Sequence, residues 1–257
     1  MNRFLVLPLF SLAALLWSCD LAAAQPASAL DEARAALKAN DLAKAAALLE
    51  PLTGADAKDA AAFYTLSQVR LAQHNAEDAV VQAEKATTLD ATKPAYFSQL
   101  GAALGQRIGE VDFIGRAVMS GKLRKAFAKA VELDPNDLGG LIGLARFYTN
   151  APEIAGGSVE KAKEFARRVQ RLNPFLGEIE LGNIADRDEQ DAEALGHFEA
   201  AAKLNPGDAW AQHLCGRTLA KLGKKDEARV RFEAALKLYP GLDAARKSLA
   251  ELNAPAP

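Results

Sequence analysis

Few residues of this sequence could take part in chemistry, and their spacing assembles no catalytic or metal site. Gly115, Gly121 and Lys122 suggest a phosphate-binding loop, but five residues separate the two glycines where that loop has four. Leu123 occupies the position at which the loop needs a Ser or Thr to hold magnesium. No buried strand precedes this segment, so the sequence predicts no nucleotide site.

The histidines and acidic pairs give no stronger indication of chemistry. His74, His197 and His213 are not spaced by four residues, and no Cys or carboxylate cluster joins them at the spacing of metal ligands. We expect these histidines on the surface or in a groove, and the Asp188-Glu189 pair in a solvated turn. Because nothing here combines a nucleophile, a base and an oxyanion site, we predict a protein that is not an enzyme and has no metal or cofactor.

The start of the chain has the features of an export signal. Arg3 precedes an almost wholly apolar run over residues 4–17, which is shorter than the roughly 20 residues that span a membrane. Three alanines at 22–24 precede Gln25 and form a small-residue cleavage site. We therefore predict a signal peptide over 1–24 and a periplasmic or secreted mature protein.

The two cysteines leave a second interpretation of the N-terminus open. Leu16, Trp17, Ser18 and Cys19 resemble a lipoprotein signal, although Trp17 replaces a small or β-branched residue. Lipidation of Cys19 would make the protein a membrane-anchored lipoprotein, and contact with a membrane is expected only in that case. If Cys19 is removed with the signal, Cys215 is alone and no intrachain disulfide can form. For Cys215 itself we expect a small buried core residue.

Composition and charge limit the fold and the partners. Half of the residues are hydrophobic but only 7% are aromatic, and alanine supplies much of the apolar share. Alanine is the best helix former and lets helices approach closely, so the composition favours packed helices. The net charge of −2 offers no whole-chain positive charge for nucleic acid, and we expect no nucleic-acid partner.

One residue pattern recurs along the chain: an alanine, a large residue four positions later, an alanine three positions after that, then leucine and proline. The instances are Ala228-Phe232-Ala235-Leu238-Pro240, Ala194-Phe198-Ala201-Leu204-Pro206, Phe127-Ala130-Leu133-Pro135 and, with alanines throughout, Ala79-Ala83-Ala86-Leu89. Spacings of three and four place these residues on one helical face. A further apolar helix precedes each instance, and the period is 34 residues where nothing is inserted.

A helix–turn–helix at this period resembles the tetratricopeptide repeat. The residues that match the family are Gly216, Leu219, Ala228, Phe232, Ala235 and Pro240. The resemblance implies an all-α, right-handed superhelical solenoid of antiparallel helix pairs with a C-terminal capping helix. The units lie at about 26–59, 60–93, 94–137, 138–174, 175–208 and 209–242, with a cap over 243–253 and a disordered tail over 254–257.

Two units depart from the period. Unit three is about ten residues too long around 108–121, where Ile108, Val111, Ile114 and Val118 are spaced as an amphipathic helix interrupted by glycines. This stretch is either a longer helix pair that packs on itself or a protruding apolar element that docks a partner. Together with the loop that follows it, the long unit is similar to a recurring type of exported bacterial tetratricopeptide protein, mostly of unassigned function.

Unit four carries about five extra residues in a loop over 149–158. Pro152 ends the preceding helix, Gly156 and Gly157 allow unusual backbone angles, and Ser158 can cap the next helix. We therefore predict a structured loop rather than a linker.

The resemblance also implies where a partner would bind, since the first helices of such a solenoid line its concave face. Residues carried over from the family's groove positions are Tyr64, Gln68, Gln99, Gln106, Arg146, Asn150, Asn183, Arg187, Trp210, His213, Arg217 and Lys221. Arginines and amides can hold a carboxylate or an extended peptide backbone, and Trp210 could anchor a ligand. For these residues the alternative interpretation is an ordinary polar surface.

For the function, the leading hypothesis is a non-enzymatic scaffold or adaptor of the bacterial cell envelope that binds a peptide or partner protein in this groove. The alternative function is a lipid-anchored structural subunit of an envelope assembly or secretion complex.

Overall fold

The computed structural model describes residues 28–253, so the predicted signal peptide, Cys19 and the predicted tail lie outside the described part of the chain. Its helices are α1 (Ala29–Lys38), α2 (Leu42–Leu49), α3 (Ala60–Ala72), α4 (Ala76–Leu89), α5 (Pro94–Arg107), α6 (Phe113–Leu133), α7 (Leu138–Asn150), α8 (Val159–Leu172), α9 (Pro174–Arg187), α10 (Asp191–Leu204), α11 (Ala209–Lys221), α12 (Lys225–Leu238) and α13 (Asp243–Asn253). Each helix packs on the next, which confirms the all-α solenoid of helix pairs. Within 28–253, no helix combines the length and apolar character needed to cross a bilayer.

Phenylalanine rings of the second helices pack on glycines of the first helices. A Cβ atom on Gly182 would overlap the Phe198 ring, and one on Gly216 would lie 2.7 Å from the Phe232 ring. Both rings are fully buried. The glycine is therefore required because it leaves room for the ring, which explains why the two residue types recur together in the repeat.

The turns inside four helix pairs share one backbone geometry. Asn40, His74, Glu189 and Gly223 all have φ between 58° and 76°, in the left-handed region. In each turn the next backbone N–H reaches back to a carbonyl of the preceding helix, as Lys224 does to Leu219 at 2.9 Å. This is the hydrogen bond of a Schellman cap, which ends a helix and reverses the chain direction. His74 thus lies in an inter-helix turn.

Aspartates at the start of the first helices fix where those helices begin. The side chains of Asp59, Asp137 and Asp208 accept hydrogen bonds from backbone N–H groups in the first turns of α3, α7 and α11. Such caps satisfy donors that have no partner within the helix. The first helices, which carry the predicted groove residues, therefore start at defined points in successive units.

The extra residues of unit three lengthen its second helix. A 3-10 turn over Ile108–Glu110 ends α5, and α6 then runs for 21 residues without a break at its glycines. The expected apolar face does not pack as one surface. Ile108 packs against the core, whereas Ile114 is 73% exposed and Val118 is 58% exposed.

The loop between α7 and α8 is held by its own backbone. The Ser158 N–H donates to the Tyr148 carbonyl at 3.0 Å, and the Ser158 side chain accepts from the backbone N–H of Lys161. Gly156 has a φ of 92°, and a Cβ on Gly157 would overlap the Ala151 carbonyl oxygen. The prediction of a structured loop with Ser158 as helix cap is confirmed.

Cys215 on α11 is fully buried. Burial raises the pKa of its thiol to about 11, so the thiolate that would react is disfavoured. The expectation of a small core residue is confirmed.

Candidate functional site in the concave groove

Three successive first helices, α7, α9 and α11, enclose a groove of about 460 Å³. We call this surface the groove; its lining residues are Arg146, Thr149, Asn150, Glu180, Asn183, Asp186, Arg187, Glu189, Arg217 and Lys221. Six of the twelve residues predicted for a groove are in this set. The volume is within the range of ligand pockets in general.

An ion pair between α7 and α9 forms one wall of the groove. The Arg146 guanidinium donates three hydrogen bonds to the Glu180 carboxylate, at 2.6, 2.9 and 3.1 Å. Only 2% of the Glu180 side chain is exposed, whereas 58% of Arg146 is exposed. The carboxylate is therefore buried and depends on an arginine that remains open to solvent.

A second set of ion pairs joins α9 to α11. Asp186 accepts hydrogen bonds from Arg217 at 2.9 Å and from Lys221 at 2.7 Å. Lys221 also lies 3.5 Å from Asp191 at the start of α10. The hydrogen bond with Asp186 raises the pKa of Lys221 above its ordinary value. The positive charges of Arg146, Arg217 and Lys221 are thus met by carboxylates of the protein itself.

Asn183 and Arg187 on α9 differ from the ion-paired groups of the groove. Within residues 28–253, neither side chain takes part in a hydrogen bond or an ion pair. Asn183 is half-buried and Arg187 is exposed. Asn150 is partly engaged, because its amide donates to the Arg146 carbonyl at 2.8 Å. Asn183 and Arg187 are therefore available to a ligand, as is the exposed carboxylate of Glu189, which forms no side-chain hydrogen bond or ion pair within residues 28–253 either.

Four of the predicted residues, Tyr64, Gln68, Gln99 and Gln106, lie on α3 and α5 and do not line the groove. Tyr64 packs on Tyr96 with ring centroids 5.0 Å apart, and its hydroxyl accepts a hydrogen bond from Gln68 at 2.9 Å. Burial raises the pKa of Tyr64 above its ordinary value. Tyr64 and Gln68 thus stabilise each other.

The two glutamines of α5 are engaged in the same way. Gln99 donates to the buried Ser67 hydroxyl at 3.1 Å, and the Gln106 amide lies 3.4 Å from the His74 ring. The first contact joins α5 to α3, and the second joins α5 to the turn that follows α3. These residues connect the units, and the structure brings them to a different part of the stack from the groove.

His213 corrects one expectation. Its side chain is 4% exposed rather than open on the concave face, because it packs between Trp210, at 5.0 Å, and Phe232, at 5.6 Å. Burial lowers the pKa of His213, and the positive charge of Arg217 lowers it further. Trp210 is 47% exposed and lies outside the groove lining.

The acidic residues of the groove were not predicted from the sequence. Glu180 and Asp186 each lie about one repeat from their basic partners: Arg146 is 34 residues from Glu180, and Arg217 is 31 residues from Asp186. Opposite charges at this separation, on neighbouring first helices, were the sequence signal from which these ion pairs could have been predicted. Across residues 28–253, no group of three or more His, Cys, Asp or Glu side chains is placed to hold a metal ion.

Comparison with known proteins places the chain among helical repeat proteins. Residues 188–252 match the model of a tetratricopeptide-repeat family. No curated protein sequence matches the chain. Its fold is similar to that of TTC0263, a thermophilic TPR protein from Thermus thermophilus, with a TM-score of 0.62 and 17% identity over 74% of this chain and 96% of that chain.

Two further solved structures cover more of the chain. PilW, described as a widely conserved type IV pilus biogenesis factor, has a TM-score of 0.66 and 15% identity over 86% of this chain and 96% of its own. The pilF protein of Pseudomonas aeruginosa has a TM-score of 0.59 and 17% identity over 87% of this chain and 96% of its own. At these identities the likeness shows the fold alone.

Proposed function

We propose that this chain, which is a tetratricopeptide-repeat protein, is a non-enzymatic adaptor of the bacterial cell envelope that holds an extended peptide or partner segment in the groove. The fold supports a scaffold for protein partners, and the repeat family is in general non-catalytic. The export signal predicted over residues 1–24 supports a location in the cell envelope.

One observation carries the choice of the groove. Three successive first helices direct polar side chains into one cavity, and two of these side chains, Asn183 and Arg187, have no partner within residues 28–253. The surrounding ion pairs hold the walls in place before a ligand arrives. A site whose fixed groups are already paired loses little entropy on binding, which favours affinity.

Asn183 and Arg187 define what the ligand must offer. The Asn183 amide can donate to a carbonyl and accept from an N–H, which are the two groups that an extended peptide backbone presents. The Arg187 guanidinium can bind a carboxylate through two parallel hydrogen bonds. We therefore expect an extended segment with an acidic group near the position that reaches Arg187.

Site-specific crosslinking in the native cell tests the groove. A photoreactive amino acid at position 183 should capture a partner, and Arg187→Glu in the same chain should remove that capture. The matched controls are the same photoreactive residue at position 203 and the charge reversal Lys203→Glu, since Lys203 is an exposed residue of α10 outside the groove. Equal capture from positions 183 and 203, or capture that survives Arg187→Glu, would exclude the groove as the binding site.

The structure also makes Arg187 a better test residue than Arg146 or Arg217. Reversing Arg146 would leave the buried Glu180 without its partner, and reversing Arg217 would place another negative charge beside Asp186. A loss of binding would then be confounded with a loss of stability. Arg187 has no such partner within the described residues, so its reversal reports on the ligand.

The mature N-terminus decides between the soluble adaptor and the lipid-anchored subunit. Mass spectrometry of the protein isolated from its envelope should find a free chain that begins at Gln25. A chain that begins at an acylated Cys19 would reject soluble export and favour the structural subunit instead, without bearing on what the groove binds.

A further inference from the structure

Two groups of opposite charge remain open to a ligand where α9 ends in the groove. Arg187 is the last residue of α9 and Glu189 lies in the turn that follows it; both are exposed and both line the groove. In the described part of the chain, neither side chain forms a hydrogen bond or an ion pair, with the other or with any neighbour. We call Arg187 and Glu189 the open groups. The groove therefore offers a ligand one positive and one negative charge close together.

The other charges that line the groove meet partners within the protein. The ion pair between α7 and α9 joins one cation to one carboxylate. The carboxylates of Asp186 and Asp191 lie against the side chains of Arg217 and Lys221. Asp188, which stands between the open groups in the sequence, is exposed and does not line the groove. The paired charges balance, so the charge that a ligand meets is that of the open groups.

Glu189 occupies a backbone position that does not suit a glutamate. Its φ is 58°, and the residues at the same place in the three other turns of this geometry are Asn40, His74 and Gly223. Glycine adopts this conformation freely, and asparagine and histidine are enriched in it, whereas glutamate is not. The backbone N–H of the next residue donates to the Ala185 carbonyl at 2.9 Å and holds the turn in this form. The carboxylate is thus presented to the groove at a local cost in stability, which is typical of functional positions.

The separation of the open groups matches the spacing of side chains in an extended peptide. Cα atoms two residues apart in a chain are at most about 7 Å from each other. In an extended peptide successive side chains point to opposite sides, so neighbours on one side come from residues about 6.6–7 Å apart. An acidic and a basic residue with one residue between them can therefore reach Arg187 and Glu189 together. A segment with two acidic residues would instead be attracted by Arg187 and repelled by Glu189.

We infer that the ligand of the groove is a bipolar segment, which is an extended peptide with an acidic and a basic side chain two residues apart. Arg187 binds the acidic side chain and Glu189 binds the basic one. This inference rests on the proposed function of the groove and adds the charge of the ligand to it. It also explains why the groove keeps an unpaired carboxylate, because that group excludes segments that carry only negative charge.

Selection from a library of random peptides tests the bipolar segment. Short peptides displayed on phage and selected on the immobilised full chain should be enriched in an acidic and a basic residue with one residue between them. Replacing the basic residue of a selected peptide by alanine should weaken its binding by about fivefold, which is the upper end for an exposed ion pair. In the variant Glu189→Asn this replacement should have no effect, because the carboxylate that the basic residue meets is absent.

The matched control is Asp188→Asn, which removes the same charge from the adjacent residue outside the groove lining. In this control the basic residue of the peptide should keep its full effect on binding. Glu189→Asn should also raise Tm by about 1–3 °C, since asparagine suits the left-handed conformation better than glutamate does. A loss of preference in a chain that is more stable than the original would not come from a damaged fold.

The possible failures of the bipolar segment and of the groove can be told apart. If the selected peptides lose binding to Arg187→Glu but show no preference for a basic residue, the groove stands and the bipolar segment is wrong. An equal loss of preference in Glu189→Asn and Asp188→Asn would also overturn the inference, because the general charge of the turn would then be responsible. If no peptide is selected, or if binding survives Arg187→Glu, the proposed function itself is wrong and the inference fails with it.

Discussion

The buried carboxylate of the groove predicts an unequal response to removal of its two partners. Glu180 is 2% exposed and is held by Arg146, whose guanidinium is largely in solvent. In Arg146→Met the carboxylate stays buried and loses three hydrogen bonds from a charged donor. In Glu180→Met the arginine loses its partner but can still be hydrated. We therefore expect Arg146→Met to destabilise the fold more than Glu180→Met, although both variants break the same ion pair.

The magnitudes follow from burial. Leaving a buried charge without its partner costs about 3–5 kcal/mol in a dry interior, and because the groove admits water we expect about 2–3 kcal/mol for Arg146→Met. Loss of a pair in which the remaining group is exposed costs about 1 kcal/mol or less. The double variant should resemble Glu180→Met alone, which gives a coupling of about 2 kcal/mol. For a chain of this size, 1 kcal/mol corresponds to about 2–4 °C in Tm.

Thermal and urea unfolding of the three variants, followed by far-UV circular dichroism, measures these differences. Equal costs for the two single variants would refute the reasoning, as would a double variant whose cost is the sum of the two single costs.

Two other predictions concern the packing of the helices. Gly216→Ala should destabilise the fold by about 1–3 kcal/mol, because the new methyl group would lie 2.7 Å from the Phe232 ring. Gly196→Ala on α10 is the control: its methyl group meets nothing within 4 Å, so it should stabilise the fold by up to about 1 kcal/mol, and urea unfolding measures both variants. Lowering the pH below about 6.5 should destabilise the fold through His213, because burial lowers its pKa and the native state then binds fewer protons than the unfolded chain. The free energy of unfolding should fall by at most about 1.4 kcal/mol per pH unit, and His213→Gln should remove this dependence.

The fold could be predicted from the sequence because its main packing contact is local and repeats. A glycine on a first helix and a phenylalanine on the following second helix recur at a constant separation, as Gly182 with Phe198 and Gly216 with Phe232. Such a contact needs no long-range information. The length of α6 was harder to predict, because its glycines lower helix propensity, and the packing of its later turns in the core overrides that local preference.

The groove was only half predictable, since position within a repeat gives the direction of a side chain but not its partner. Arg146, Arg217 and Lys221 were expected to be available to a ligand, and each instead pairs with a carboxylate of the neighbouring unit. His213 was expected on the same face, but packing against an aromatic ring of its own helix pair buries it. These outcomes depend on how far successive units rotate against each other, which the sequence pattern does not specify.

The pairing of charges in the groove leads to a prediction about the effect of salt on binding. Because Glu180 and Asp186 already meet most of the positive charge there, a ligand gains chiefly from hydrogen-bond geometry at Asn183 and from the single charges of Arg187 and Glu189. A site that held its ligand through several exposed and unpaired charges would depend far more on salt, because such attraction is screened beyond about 10 Å at 0.1 M salt and about 3 Å at 1 M salt.

Raising the salt concentration about tenfold, from about 0.05 M to about 0.5 M, should therefore weaken capture at position 183 only a few-fold. The measurement is crosslinking at position 183 in opened cells that still hold the native partner, across that range of salt. If capture fell far more than a few-fold, the ion pairs of the groove would have to open for the ligand, and the groove would recognise charge rather than backbone geometry.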